Sequence, residues 1–242
     1  VVQGGDSASL HVADDLDLQR DQFLRVNSSK PLPPGLITEL LPEVNTTLPP
    51  NLAAKRIPSY ICDWLNQNDA SPLKGMIKRA STPKSSRSTA VIQDTTIVKM
   101  IQESLTSASG CLFPYRDIVS GETDFESISR ILVTYWSAVS IVFPEAWGLP
   151  PKASRLMHGA GLRAMGRLMD VIMPSIRCKS DNAIKQTVIE LKKIEPICKW
   201  TSGRWIELDG IKWNEIQNVP RHVNLLSSII IRAYTLSREV GQ

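Results

Sequence analysis

The sequence reads as mainly α, a multi-helix body with a short β element near the N-terminus and a small β-ribbon or turn near residues 198–210. Three observations lead there. Apolar residues recur at helical spacing in several separate stretches. Capping residues and prolines bracket those stretches. Segments with strand character are confined to Ser9–Val12 and Phe113–Val119.

In chain order, Asp14 or Asp15 is placed to cap a short helix through Leu16, Phe23 and Leu24, which ends before the prolines at 31, 33 and 34. Gly35 to Leu41 forms a second short helix stopped at Pro42. Ile57, Tyr60, Ile61, Trp64 and Leu65 follow the i, i+3, i+4, i+7, i+8 template and predict one buried helical face near Pro58. Residues 79–90 are small and polar without apolar period, an expected exposed loop. Asp94 is then expected to cap a helix through Ile97, Val98, Ile101 and Leu105, with Gly110 as its stop.

The run from Thr123 to Glu126 has the spacing of a capping box, in which hydroxyl and carboxylate satisfy each other's backbone donors. The helix behind it runs through Ile128, Leu132, Tyr135, Val139 and Val142 to Pro144. Further helices are expected over 154–173 and 181–195. A last one has Asn218 as cap, Pro220 in its first turn, and Val223, Leu226, Ile230 and Ala233 on its buried face. Trp200 to Gly210 reads as the turn or ribbon, carrying two tryptophans.

The chain has 242 residues, 42% hydrophobic and 21% charged, an ordinary composition for one large domain or a domain with part of another. No apolar run approaches the ~18 residues of a membrane-spanning helix. Residues 1–10 lack the basic start and apolar stretch of a signal peptide, so a cytoplasmic location is expected. Cys62, Cys111, Cys178 and Cys198 include no C-x-x-C pair, and the three histidines supply no metal-binding spacing. Neither a metal nor another cofactor is expected. A Walker A loop, a G-x-S-x-G elbow and a dinucleotide fingerprint are all missing from the sequence.

Charge is uneven. Residues 1–50 carry three Lys/Arg against seven Asp/Glu, whereas the remainder carries 25 against 17. Within 151–205 there are eleven Lys/Arg against four acids. On a helix, Lys152, Arg155, Arg163 and Arg167 share about a third of the circumference, a stripe suited to a phosphate backbone. Lys78 and Arg79 belong to a second cationic group that continues through Lys84 and Arg87. His158 lies beside the stripe as a candidate phosphate contact or general base, or as a structural hydrogen-bonder. Gly159 and Gly161 point to close packing or close ligand approach, and the tryptophans at 200, 205 and 213 to base stacking or to the core.

Several separate motifs are more specific. They are LQRDQFLRVNSSKPLP over 18–33, ELLP over 39–42, SPLKGMI over 71–77 and Tyr135-Trp136 with FPEAWG over 143–148. SRLMHGAG over 154–161, WTSG over 200–203 and WNEIQN over 213–218 complete the set. In this order they resemble the DGQHR-domain proteins, a ParB-like group that includes the DndB-type proteins of bacterial DNA-modification systems. The likeness spans Asp14 to Tyr234. It implies that residues 1–50 are a remnant of a ParB-like α/β domain and 51–242 a helical C-terminal domain. The Asp-Gly-Gln-(His/Gln)-Arg signature belongs upstream of Leu18 and is not in the sequence, so the chain is expected to begin after it.

The resemblance places Gln22, Asn27 and Lys30 next to the pocket of that signature. It also implies a DNA-associated accessory or regulatory role in DNA modification or phage defence, with DNA as partner. A protein partner or a second copy at the N-terminal edge is the other expected contact. The alternatives it leaves open are a nucleotide-binding or hydrolysing ParB-like enzyme whose active segment is missing, and a helical interaction module.

Overall fold

In the computed structural model, residues 34–43, 50–83, 89–116 and 123–239 are described. The architecture is mainly α, with seven α-helices among those residues: α1 (Pro34–Leu40), α2 (Pro50–Gln67), α3 (Asp94–Thr106), α4 (Phe125–Val142), α5 (Gly159–Ile172), α6 (Ala183–Lys192) and α7 (Pro220–Glu239). Two ribbons of two-residue strands complete it. Ile77–Lys78 (β1) pairs in parallel with Ile92–Gln93 (β2), and Arg204–Trp205 (β3) pairs antiparallel with Ile211–Lys212 (β4). The second is the ribbon expected near 198–210, turned through Asp209 and Gly210, both at positive φ. The β element expected at Ser9–Val12 and the helix at 14–24 lie outside the described residues.

The helices pack in series. α2 lies on α3, α3 on α5 and α5 on α7, while α4 pairs with α6 and reaches α2. Centrally placed, α5 has ten of its fourteen residues buried, although it carries Arg163, Arg167 and Asp170. The Tyr135 hydroxyl of α4 donates to the Met165 carbonyl of α5 at 2.6 Å. A Cβ on Gly161 would overlap the Arg155 carbonyl oxygen, and one on Gly166 would meet the Met100 side chain of α3. The glycines in this region therefore serve packing.

Several element starts differ from expectation for identifiable reasons. Helix α5 begins at Gly159, not near Ser154. The Ser154 N–H is turned back to Pro150, and the Arg155 N–H donates to the Trp200 carbonyl at 2.8 Å, so neither enters a helical ladder. Asp124, not Thr123, caps α4, accepting from the Ser127 N–H at 3.0 Å. Asp94 occupies the first turn of α3, where its own carboxylate accepts from Thr95 N–H at 2.5 Å. Gly110 is pressed on the Ser104 backbone, and α3 ends earlier at Ser107.

The 79–90 segment is not uniformly exposed, since Arg79 and Ala90 are buried beside the β1–β2 pair. Phe113–Tyr115 is a 3-10 turn, not a strand, and only Arg116 bridges to Thr123. On α2, Ile61 and Leu65 are fully buried, but Tyr60 is 52% exposed and rests on the Phe125 ring. Helix α6 is shorter than 181–195 because a 3-10 turn at Glu195–Ile197 follows it. Val223, Leu226 and Ile230 are buried on α7 as expected, joined by Tyr234.

Substitutions at glycine test this packing. Gly161→Ala meets backbone that cannot yield and is expected to cost about 3 kcal/mol by chemical denaturation. Gly166→Ala meets a flexible methionine and should cost about 1 kcal/mol. Gly210→Ala, in open space but at φ +71°, should also cost about 1 kcal/mol, from backbone strain alone.

Candidate functional site

The four residues of the expected cationic stripe do not share a face. Lys152 is exposed in the turn before α5. Arg155 precedes the helix and donates to the carbonyls of Pro151 (2.8 Å) and Asn214. Arg163 is 6% exposed, ion-paired to Glu103 of α3 and 3.5 Å from the Asn218 side-chain oxygen. Arg167 is shared between Glu103 at 3.8 Å, Asn224 at 2.7 Å and Ser227 at 3.1 Å. Asn218, expected as the α7 cap, instead lies against Gly159 and Arg163. The expected stripe is thus mostly a set of internal ties between α3, α5 and α7. Its physical reason is that a buried guanidinium needs paired acceptors, and Glu103 and the α7 amides provide them.

His158 is the N-cap of α5, with Nδ1 accepting from the Ala160 N–H at 3.4 Å. Burial, with the neighbouring Arg155 charge added, pushes its pKa down to about 4. It is neutral at pH 7 and acts as a structural acceptor there, not as a cation for phosphate. Trp200 and Trp205 sit in the core with rings 5.2 Å apart, edge to face, and Trp213 is half-buried beside the second ribbon. Gln22, Asn27 and Lys30 lie outside the described residues.

Of the second cationic group, Lys78 is half-buried in β1 and Arg79 is 8% exposed. Arg79, directly after β1, joins α2 and α3. Its guanidinium is ion-paired to Asp63 of α2, lies 3.8 Å from Asp94 Oδ2 of α3 and 3.8 Å from Cys62 Sγ. Glu39 of α1 adds a third carboxylate to the neighbourhood and accepts from the Ser81 N–H at 3.0 Å. Burial raises the Asp63 pKa to about 6 against the pull of Arg79, and raises Asp94 in the same direction. In this cluster three carboxylates surround one guanidinium, and Asp94 Oδ2 is buried without a hydrogen-bond partner. Among the described residues no group of three His, Cys, Asp or Glu is arranged to hold a metal ion.

A cavity of about 730 Å³ lies elsewhere, between the start of α4 and the chain leaving α5. Tyr115, Ile131, Met173 and Pro174 supply apolar walls, and Arg130, Arg177 and Lys179 supply charge. No Asp, Glu or His is among its described lining residues. Arg130 is ion-paired to Glu126 one turn back on α4, whereas Arg177 and Lys179 are exposed. Two thiols, Cys111 and Cys178, also line it, and burial raises both pKa values, so both stay protonated at neutral pH. Arg177 and Lys179, with the Glu126-paired Arg130, give one side of the cavity a positive edge. Sequence reading missed it because its cations come from α4 and from the segment after α5, close in space but 47 residues apart in the chain from Arg130 to Arg177, a separation no local pattern encodes.

No protein-family model matches this chain, and no match was found among the curated proteins or the solved structures.

Two titrations with opposite sign are expected. His158 has a folded pKa below its unfolded value, so its contribution is complete above about pH 6.5 and is lost as the pH falls toward 4. His158→Asn keeps a cap acceptor and should flatten the acid-side fall in Tm. Asp63 is raised, so protonation favours the folded state, and that gain disappears as the pH climbs through about 6. Arg79→Ala leaves those carboxylates unpaired and should cost about 3 kcal/mol at pH 7, with partial recovery near pH 5 in thermal melts.

Proposed function

We propose that this chain is the helical, non-catalytic body of a DNA-associated accessory or regulatory protein of a bacterial DNA-modification or phage-defence system, acting in the cytoplasm. The observation that carries the reading is the convergence of Arg130, Arg177 and Lys179 on one cavity with no acid among its described lining residues. The overall charge is only +4, so a general field is a weak attractant and local clustering matters more. The motifs that resemble DGQHR-domain proteins supply the DNA-modification context. Phosphate neutralised at this rim releases counterions, which gives binding a salt-dependent driving force. Among the described residues no helix is long and apolar enough to cross a membrane.

This assignment moves the DNA contact from the 152–167 stripe to the 130/177/179 rim, with exposed Lys152 as an outlying contact. Fluorescence anisotropy with a short duplex at low salt tests it. Binding is expected, and the double substitution Arg177→Glu with Lys179→Glu should weaken it at least about tenfold and flatten the salt slope by about two units. Lys152→Glu should have a smaller effect. No duplex binding at about 50 mM salt, where such contacts are strongest, ends the reading.

A further inference from the structure

A phosphate backbone alone does not need a cavity, because a flat cationic surface neutralises it equally well. The site here has depth. Its volume of about 730 Å³ lies within the roughly 300–1,000 Å³ of small-ligand sites, and its walls combine an aromatic ring with aliphatic side chains. That mixture of one half-buried ring, an apolar lining and a cationic edge fits a planar base attached to a phosphate.

The elements around it are fixed from several sides. The Tyr115 N–H donates to the Leu112 carbonyl at 3.1 Å, and its own carbonyl accepts from the Asp124 N–H at 2.9 Å. Tyr115 is therefore pinned between its 3-10 turn and the cap of α4. Across the cavity, the Ile176 N–H donates to Met173 at 3.0 Å and the Ser180 N–H to Arg177 at 2.9 Å, which holds the chain carrying Arg177 and Lys179 in two successive turns. Arg130 is oriented by Glu126. Below the cavity, the Cys111 N–H and the Ser104 hydroxyl both donate to Asp170 of α5, at 3.0 and 2.5 Å, tying the floor to the central helix. Preformed walls lower the ordering cost of binding.

We infer that this cavity is a nucleoside 5′-phosphate site, with the base against Tyr115, Ile131 and Met173 and the phosphate at Arg130, Arg177 and Lys179. The inference rests on the DNA-associated reading and narrows it from duplex backbone to a single nucleotide. Two sources carry the same chemistry, a free mononucleotide and the phosphorylated 5′ end of a strand. Three cations and no acid among the described lining residues favour a dianionic terminal phosphate over the single charge of an internal phosphodiester.

Isothermal titration calorimetry on the full 242-residue chain tests this with adenosine 5′-monophosphate, adenosine and inorganic phosphate as probes. The expected result is that the monophosphate binds at least tenfold tighter than either adenosine or inorganic phosphate. Tyr115→Ala should weaken it at least fivefold. If that variant fails to fold, Arg177→Glu, at an exposed position, should still lower the affinity at least tenfold with an unchanged melting temperature. A monophosphate that binds no tighter than inorganic phosphate overturns the inference, and so does indifference to Arg177→Glu. A 5′-phosphorylated octanucleotide that binds tighter than the monophosphate supports the site and assigns it to strand ends. The reverse order supports it and assigns it to free nucleotide. A blunt duplex lacking 5′ phosphates separates the two proposals. Duplex binding without monophosphate binding removes only the nucleotide site, and monophosphate binding without duplex binding removes only the DNA-associated reading.

Discussion

Burial of α5 on nearly all sides is the constraint from which the rest of this structure follows. A helix in that position must be approached closely by α3, α4 and α7 together, which leaves no room for side chains at its contact points. Gly166 against Met100 of α3 satisfies that demand, and Gly161 lets the chain entering α5 fold back on it at the Arg155 carbonyl. Several polar groups that enter the same interior are paired there: Tyr135 to the Met165 carbonyl, Ser104 to Asp170, Arg163 to Glu103. The cavity hangs from this helix. Its floor is fastened to Asp170, and Met173, which directly follows α5, forms one wall.

The division of cations between interior and surface follows from the same packing. Arg79, between Asp63 and Asp94, and Arg163, paired to Glu103, are each nearly inaccessible, so they hold helices together and attract nothing from solution. The raised pKa of Asp63 shows the cost of this arrangement, since burial acts on the carboxylate more strongly than Arg79 does. Other lysines and arginines, such as Lys99, Lys185 and Arg232, face solvent singly, whereas Arg130, Arg177 and Lys179 meet at one cavity.

Most of the helices were legible in the sequence, because Ile128, Leu132, Tyr135, Val139 and Val142, and later Val223, Leu226 and Ile230, repeat at a period only a helix turns into one face. The ribbon at 204–212 was legible from its turn residues. Less legible were starts decided by distant partners: α5 begins five residues late because the Trp200 carbonyl, about 45 positions away, takes the Arg155 N–H. The same cause undid the cationic stripe. Periodicity placed Arg163 and Arg167 on one helical face correctly, but it carried no information that Glu103 would lie opposite them. His158 is similar, readable as titratable from sequence but neutral through burial only the fold creates. The motifs from Ser154 to Gly161 and from Trp213 to Asn218 that resemble the DGQHR-domain proteins meet in space, where Asn218 packs on Gly159 and Arg155 reaches the Asn214 carbonyl.

The central claim is that the accessible anion-binding surface is the 130/177/179 cavity and that Arg155, Arg163 and Arg167 are engaged by internal partners. Amide hydrogen exchange with and without a 5′-phosphorylated oligonucleotide addresses it most directly. Added protection is expected at 109–115, 127–131 and 173–179, with 152–167 unchanged. Protection concentrated on the Lys152–Arg167 stretch, with the cavity segments unaffected, would contradict the account.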